Sequence, residues 1–247
     1  VSLAIIFVLP PYAEASAAVW PGSPQSDIKA FYSDSHKSYA LLGLLAFAAV
    51  IDNSPVAQNI ANWNEGQQTS SSLRLANGFN ELGFKHCLWI YWGSYLLSRP
   101  TEGSKPGYIQ RWSSTVLRSV VVGLPALWAI QLILGGPRPE YHRARGSAWS
   151  FLHPQDHHAA SGHAFIGAMP FLAAANLSHG NWQRRGLLGL SILPAMARMH
   201  LGKHYIGQVV LGWGLAYLSA AFIKQEALGL QLYPLPKGVG LSLQWQA

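Results

Sequence analysis

The fold class this sequence predicts is all-α, an integral membrane bundle of about six helices, and three observations predict it. Charged residues are only 11% of the 247 positions and hydrophobic residues 50%, whereas an average soluble domain is about 25% charged. Six apolar runs follow one another: Tyr39–Ile51, Phe84–Leu97, Ser119–Gly136, Ser161–Leu177, Gly186–Ala197 and Tyr205–Ile223. Period-2 alternation with hairpin signals is missing, which argues against a barrel.

Each element has its own signal. Val1–Leu9, followed by Ala13-Glu-Ala15 and Ala15-Ser-Ala17, reads as a signal-peptide core or an uncleaved anchor, although no basic residues precede it. Residues 1–38 are therefore expected to form an N-terminal anchor and linker, 39–227 the helical membrane domain, and 228–247 a tail that leaves the bundle. Tyr39–Ile51 is short for a span, because a bilayer about 30 Å thick takes roughly 20 residues. Phe84–Leu97 carries Trp89, Tyr91, Trp92 and Tyr95, residues suited to the membrane interface. Pro125 should kink the third run and Pro194 bend the fifth. The stretch 52–83, rich in Asn, Gln and Ser, is expected to be a long polar link. The single cysteine, Cys87, excludes an intramolecular disulfide.

The formal charge is +7, but the cations are scattered between apolar runs rather than gathered on one polar face, so nucleic acid is not the expected partner. Membrane lipids are. Alternate loops sort by side: 99–112, 178–185 and the tail share one face, and 137–160 and 198–204 share the other. The first set holds Lys and Arg with no evident chemical task, so the positive-inside bias places it in the cytoplasm. The second set would then face the periplasm of a bacterial inner membrane.

Three segments on that second face hold polar residues in an otherwise apolar chain: Gly135-Gly-Pro-Arg-Pro139, Ala160-Ser-Gly-His163 and Arg198-Met-His-Leu-Gly-Lys-His204. Alone, Arg138 reads as a snorkelling interfacial arginine, and His163 and His204 as packing histidines. Together they suit phosphoryl transfer. Arginine matches phosphate oxygens bidentately, and a helix start offers backbone N–H groups and a favourable dipole. Two imidazoles can divide the work of nucleophile and proton carrier. Neighbouring arginines would keep the attacking ring neutral. No metal or cofactor is required.

These segments resemble the signature of the type 2 phosphatidic acid phosphatase (PAP2) superfamily, which reads Lys-x6-Arg-Pro, Pro-Ser-Gly-His and Ser-Arg-x5-His-x3-Asp. The chain keeps Arg138-Pro139, Ser161-Gly162-His163, Arg198 and His204 in order and with the five-residue spacing intact. The resemblance covers roughly residues 84–223. It implies a PAP2-like bundle and a metal-independent membrane phosphatase acting on a lipid phosphomonoester or pyrophosphate. It also implies that His204 is the nucleophile that forms a phosphohistidine, that His163 is general acid and base, and that Arg138, Arg198, Ser161 and Gly162 bind phosphate. Four positions depart: Gln131 stands in place of Lys, Ala160 of Pro, Ala197 of Ser and Gln208 of Asp. Gln131 and Gln208 become supporting residues without charge. In serine proteases the analogous loss of a carboxylate behind the catalytic histidine costs about 10⁴ in turnover.

Two alternatives follow. A PAP2-like chain of impaired catalysis would serve as a structural or accessory subunit with membrane-protein partners. A metal site would use His153, Asp156, His157 and His158, or His200 with His204, which lie one turn apart if that stretch is helical.

Overall fold

The computed structural model describes residues 23–98, 106–140, 147–149, 157–228, 230–235 and 238–243. They form ten helices in chain order: α1 Pro24–Ser33, α2 Ser35–Asp52, α3 Pro55–Gly66, α4 Ser70–Glu81, α5 His86–Leu97, α6 Tyr108–Leu134, α7 Gly162–Leu177, α8 Asn181–Leu190, α9 Leu193–His200 and α10 Ile206–Leu228. A hairpin of β1 Leu230–Leu235 and β2 Gly238–Leu243 follows, its strands antiparallel. The architecture is the expected helical bundle, with more helices than apolar runs. The fifth run is broken into α8 and α9, and Pro194 sits in the first turn of α9, where a missing N–H costs nothing.

The stretch read as a polar link is helical. Ser54 caps α3, with Pro55 following it, and Thr69 forms a capping box with Ser72 at α4. Those caps were legible, but the Asn/Gln/Ser composition masked them. The tail hairpin likewise lies outside the expectation that no hairpin is present; its strands Leu230–Leu235 and Gly238–Leu243 are only six residues each. Helix α1, within the segment read as anchor and linker, starts at a Ser23–Ser26 capping box. It packs on α6 through a buried bidentate pair, Arg118 Nη2 and Nε donating to Asp27 at 2.7 and 2.8 Å.

The core lies where α6, α7 and α10 meet. Val116, Val120, Leu127, Phe165, Met169, Leu172, Leu211 and Leu215 are buried there. In a bilayer the lipid tails are as apolar as leucine, so these helices are held by close packing and polar ties rather than by transfer from water. Such ties are present: Trp112 Nε1 donates to the Pro170 carbonyl at 2.9 Å, and Asn176 Nδ2 to the Ala220 carbonyl at 2.8 Å. Pro125 does open the α6 ladder, and the Tyr32 hydroxyl enters the gap. It accepts from the Ala126 N–H at 3.0 Å and donates to the Val122 carbonyl at 2.9 Å.

Among the described residues, two helices are long and apolar enough to cross a membrane, α6 with 27 residues and α10 over Ile206–Ile223. Twenty-seven residues reach about 40 Å at 1.5 Å per residue. The pair α2 and α3, bent by 70°, is long and apolar enough only when taken together, as a broken span or a re-entrant loop. Trp89 and Leu97 on α5 and Tyr39 and Val50 on α2 turn outward, all more than two-thirds exposed, as residues facing lipid do.

Candidate phosphate-binding site

The predicted residues come from one end of the bundle: the exit of α6, the start of α7, the last turn of α9 and the turn before α10. Gly135, at φ 44°, ends α6, and Gly136 then runs so close to Ala159 that a Cβ would meet its backbone at 2.8 Å. The chain can pass there only without a side chain, which brings Pro137 and Arg138 beside the start of α7.

His204 is buried, and its ring is fixed from behind. Gln208 Nε2 donates to the Pro137 carbonyl at 2.8 Å, while Gln208 Oε1 accepts from the Tyr205 N–H at 3.2 Å. With the amide so oriented, the 2.8 Å contact between His204 Nδ1 and Gln208 Oε1 requires the proton on Nδ1. The lone pair is then on Nε2. Burial first, and Arg198 second, hold the imidazole well below its ordinary pKa, so the ring is neutral and nucleophilic near pH 7.

Arg198 is 5% exposed. Its Nη1 donates to Asn80 Oδ1 at 2.8 Å, and its buried Nε has no partner among the described residues. Burial, then Arg138, push its pKa down to about 10, which leaves it a cation at neutral pH. Arg138 Nη1 donates to Glu140 Oε1 at 3.3 Å, and Lys203 Nζ bonds the other carboxylate oxygen. Burial raises the Glu140 carboxyl, but Lys203 and Arg138 outweigh it and hold the group below its usual range. A backbone bond from the Glu140 N–H to the Gly202 carbonyl, at 3.3 Å, closes this loop onto the turn carrying His204.

His163 is the second residue of α7. Its ring meets Phe84 edge to face at 4.7 Å between centroids, and its buried Nε2 has no partner among the described residues. Arg198 and Arg138 act electrostatically on His163 as they do on His204, so the four residues share one field. The His158 ring stands 6.0 Å from that of His204.

The supporting residues are already bonded. Ser161 caps α7, its Oγ accepting from the Ala164 N–H at 3.3 Å, and its own N–H donates to the Gln208 carbonyl at 2.9 Å. The first-turn amides of Gly162 and His163 are those a helix start leaves without an intrahelical partner. Gln131 Nε2 donates to the Ala160 carbonyl at 2.8 Å, bracing the loop before α7 without adding a cation.

Asn80, Glu140 and Lys203 were not singled out from the sequence. Glu140 and Lys203 flank the motifs and offered a signal, whereas Asn80 lies more than 100 positions from the arginine it holds and offered none. His200 turns away from His204: its Nε2 lies 2.8 Å from Ser72 Oγ on α4. His157 contacts the Gln131 carbonyl through Nδ1 at 3.3 Å. His153 and Asp156 lie outside the described residues, and among the described residues no three His, Cys, Asp or Glu side chains gather.

Residues 113–227 match the model of the PAP2 superfamily. In fold the chain is similar to a transmembrane PAP2 type phosphatidylglycerolphosphate phosphatase from Bacillus subtilis, with a TM-score of 0.52 at 17% identity, covering 77% of this chain and 94% of that one. No curated protein matches the chain. The apolar helices and the transmembrane fold make this an integral membrane protein.

Proposed function

We propose that the protein is a lipid phosphatase that works through a phosphohistidine on His204, with its pocket on the periplasmic face of a bacterial inner membrane. The observation that carries this reading is the fixed His204 tautomer, which leaves the lone pair on Nε2 of a ring that feels the charge of Arg198. That lone pair attacks phosphorus as the bond to the lipid oxygen breaks. His163, which enters the step protonated with the substrate's negative charge offsetting Arg198 and Arg138, gives its proton to the departing alkoxide. Water then attacks the phosphohistidine, His163 takes its proton, and inorganic phosphate leaves with His204 restored. Arg138 and Arg198 would hold the non-bridging oxygens, together with the first amides of α7. The similar structure is that of a phosphatidylglycerolphosphate phosphatase, which supports a phosphomonoester or pyrophosphate substrate on a lipid. An apolar groove of about 330 Å³ is lined by Trp63, Leu75, Phe79 and Met196 among others, and includes Ala197, the residue before Arg198. It offers a place for hydrocarbon.

The test is release of inorganic phosphate from phosphatidic acid, phosphatidylglycerophosphate and prenyl pyrophosphate in detergent, wild type against His204→Ala. We expect a loss of at least about 10³-fold, since a nucleophile has no substitute. Equal rates on every substrate would end the catalytic reading.

A second reading is an accessory subunit that binds phosphate without turnover. It is favoured by Gln131 and Gln208, whose amides brace backbone carbonyls where the family has charges.

A further inference from the structure

The residue that would bear the phosphate is gripped from behind by a part of the chain outside the matched domain. The elbow between α2 and α3, bent by 70°, sits against His204–Gln208. Asp52 closes α2 and is fully buried; its Oδ1 accepts from the Gly207 N–H at 2.8 Å, and the Gln208 amide also faces it. Gly207 and Gln208 lie in the first turn of α10, whose N–H groups have no intrahelical acceptor. Tyr205, just before that turn, is not a capping residue type, and its hydroxyl reaches away to donate to Gln58 Oε1 on α3 at 3.0 Å. The carboxylate of another helix caps α10 instead.

The fit is close. A Cβ at Gly207 would lie 2.5 Å from the Asp52 carboxylate, so only glycine admits the contact. Asp52 is itself held, Oδ2 accepting from Trp149 Nε1 at 3.1 Å, while its neighbour Asn53 accepts from the Trp149 N–H at 3.0 Å. The mechanism proposed above uses none of these groups, and the elbow's contacts fall on Tyr205 and Gly207, on either side of Ile206.

We infer that Asp52, assisted by Gln58, is a positioning residue that holds the start of α10 so that Gln208 can fix the His204 ring in one tautomer and direction. The phosphatase reading supplies the activity through which this is most easily seen, but the positioning has its own readout. Nitrogen-15 NMR of the His204 ring should report a proton on Nδ1 in the wild type. In Asp52→Asn the amide can no longer accept from Gly207, Gln208 and Trp149 together, and the ring should become a mixture of tautomers. Turnover should fall about 10- to 100-fold with KM within twofold, as small misplacements of a reacting group do.

Because both act on one ring, Asp52→Asn combined with Gln208→Ala should lose little more than the worse single variant. Should Asp52→Asn fail to fold, Tyr205→Phe removes the Gln58 contact and should lower turnover several-fold. The inference is overturned if the folded variants keep the wild-type tautomer and turnover, or if the losses of Asp52→Asn and Gln208→Ala multiply independently. A wild type no faster than His204→Ala would instead sink the phosphatase reading, and the tautomer comparison would still decide the role of Asp52.

Discussion

The matched stretch 113–227 and the helices before it divide the candidate site between them in an uneven way. From the first come the groups proposed to touch a phosphate: Arg138, His163, Arg198 and His204, with the first amides of α7. From the second come supports that add to Gln208 and Glu140 of the matched stretch: Asn80 on Arg198, Phe84 on His163, and the elbow behind His204. The first set is written in motifs of fixed spacing. The second is spread over α2, α3, α4 and the turn that follows α4, whose only local signal is a cap or an apolar run. Chemistry needs particular residue types, whereas support needs only a partner of suitable reach, so support can come from anywhere the fold brings near.

Four changes would break or sharpen that contrast. The largest effect is expected at Asp27→Ala, which leaves Arg118 charged, buried and unpaired between α1 and α6. Removing one partner of a buried pair costs about 3–5 kcal/mol, so unfolding in denaturant should shift strongly while the folded fraction keeps its KM. If stability is unchanged, α1 is not part of the frame. Next is Asn80→Ala. A hydrogen bond to a charged group is worth about 1.5–3 kcal/mol, so kcat/KM should fall by roughly 10- to 100-fold, and a value equal to wild type would make Asn80 incidental.

A third change concerns pH. The folded His204 imidazole titrates well below its unfolded counterpart, through burial and then Arg198. The unfolded chain therefore binds more protons as pH falls below about 6.5, and the stability linked to this group is present above that pH and lost beneath it. Thermal unfolding of the wild type measured against His204→Gln should show the difference narrowing from pH 7.5 to 5; a constant difference would mean that the ring is not held neutral by the fold. The smallest effect is expected at Gln131→Lys, which restores the family's cation. Inhibition by inorganic phosphate should tighten several-fold, and no change would place Gln131 in the bracing set with no share in binding.

Much of this molecule can be read from its residues in order. The scarcity of charge and the apolar runs imply a membrane bundle, because a chain that must satisfy its backbone within lipid has few other solutions. The Arg-Pro, Ser-Gly-His and Arg-x5-His segments imply a phosphate site, because their spacing returns them to helix ends. What stayed hidden is of another kind. The helices of 52–83 are polar in composition, so hydropathy passes over them, and they form because caps start them and α9 and α10 cover them. Gln208 appears in sequence as a lost charge. Only the folded chain gives it the Pro137 carbonyl and the Tyr205 amide, which together decide which way its oxygen points. Spacing along a chain determines which groups share a helix end; which distant carboxylate or amide faces them depends on packing between segments far apart in sequence, and no local pattern encodes that.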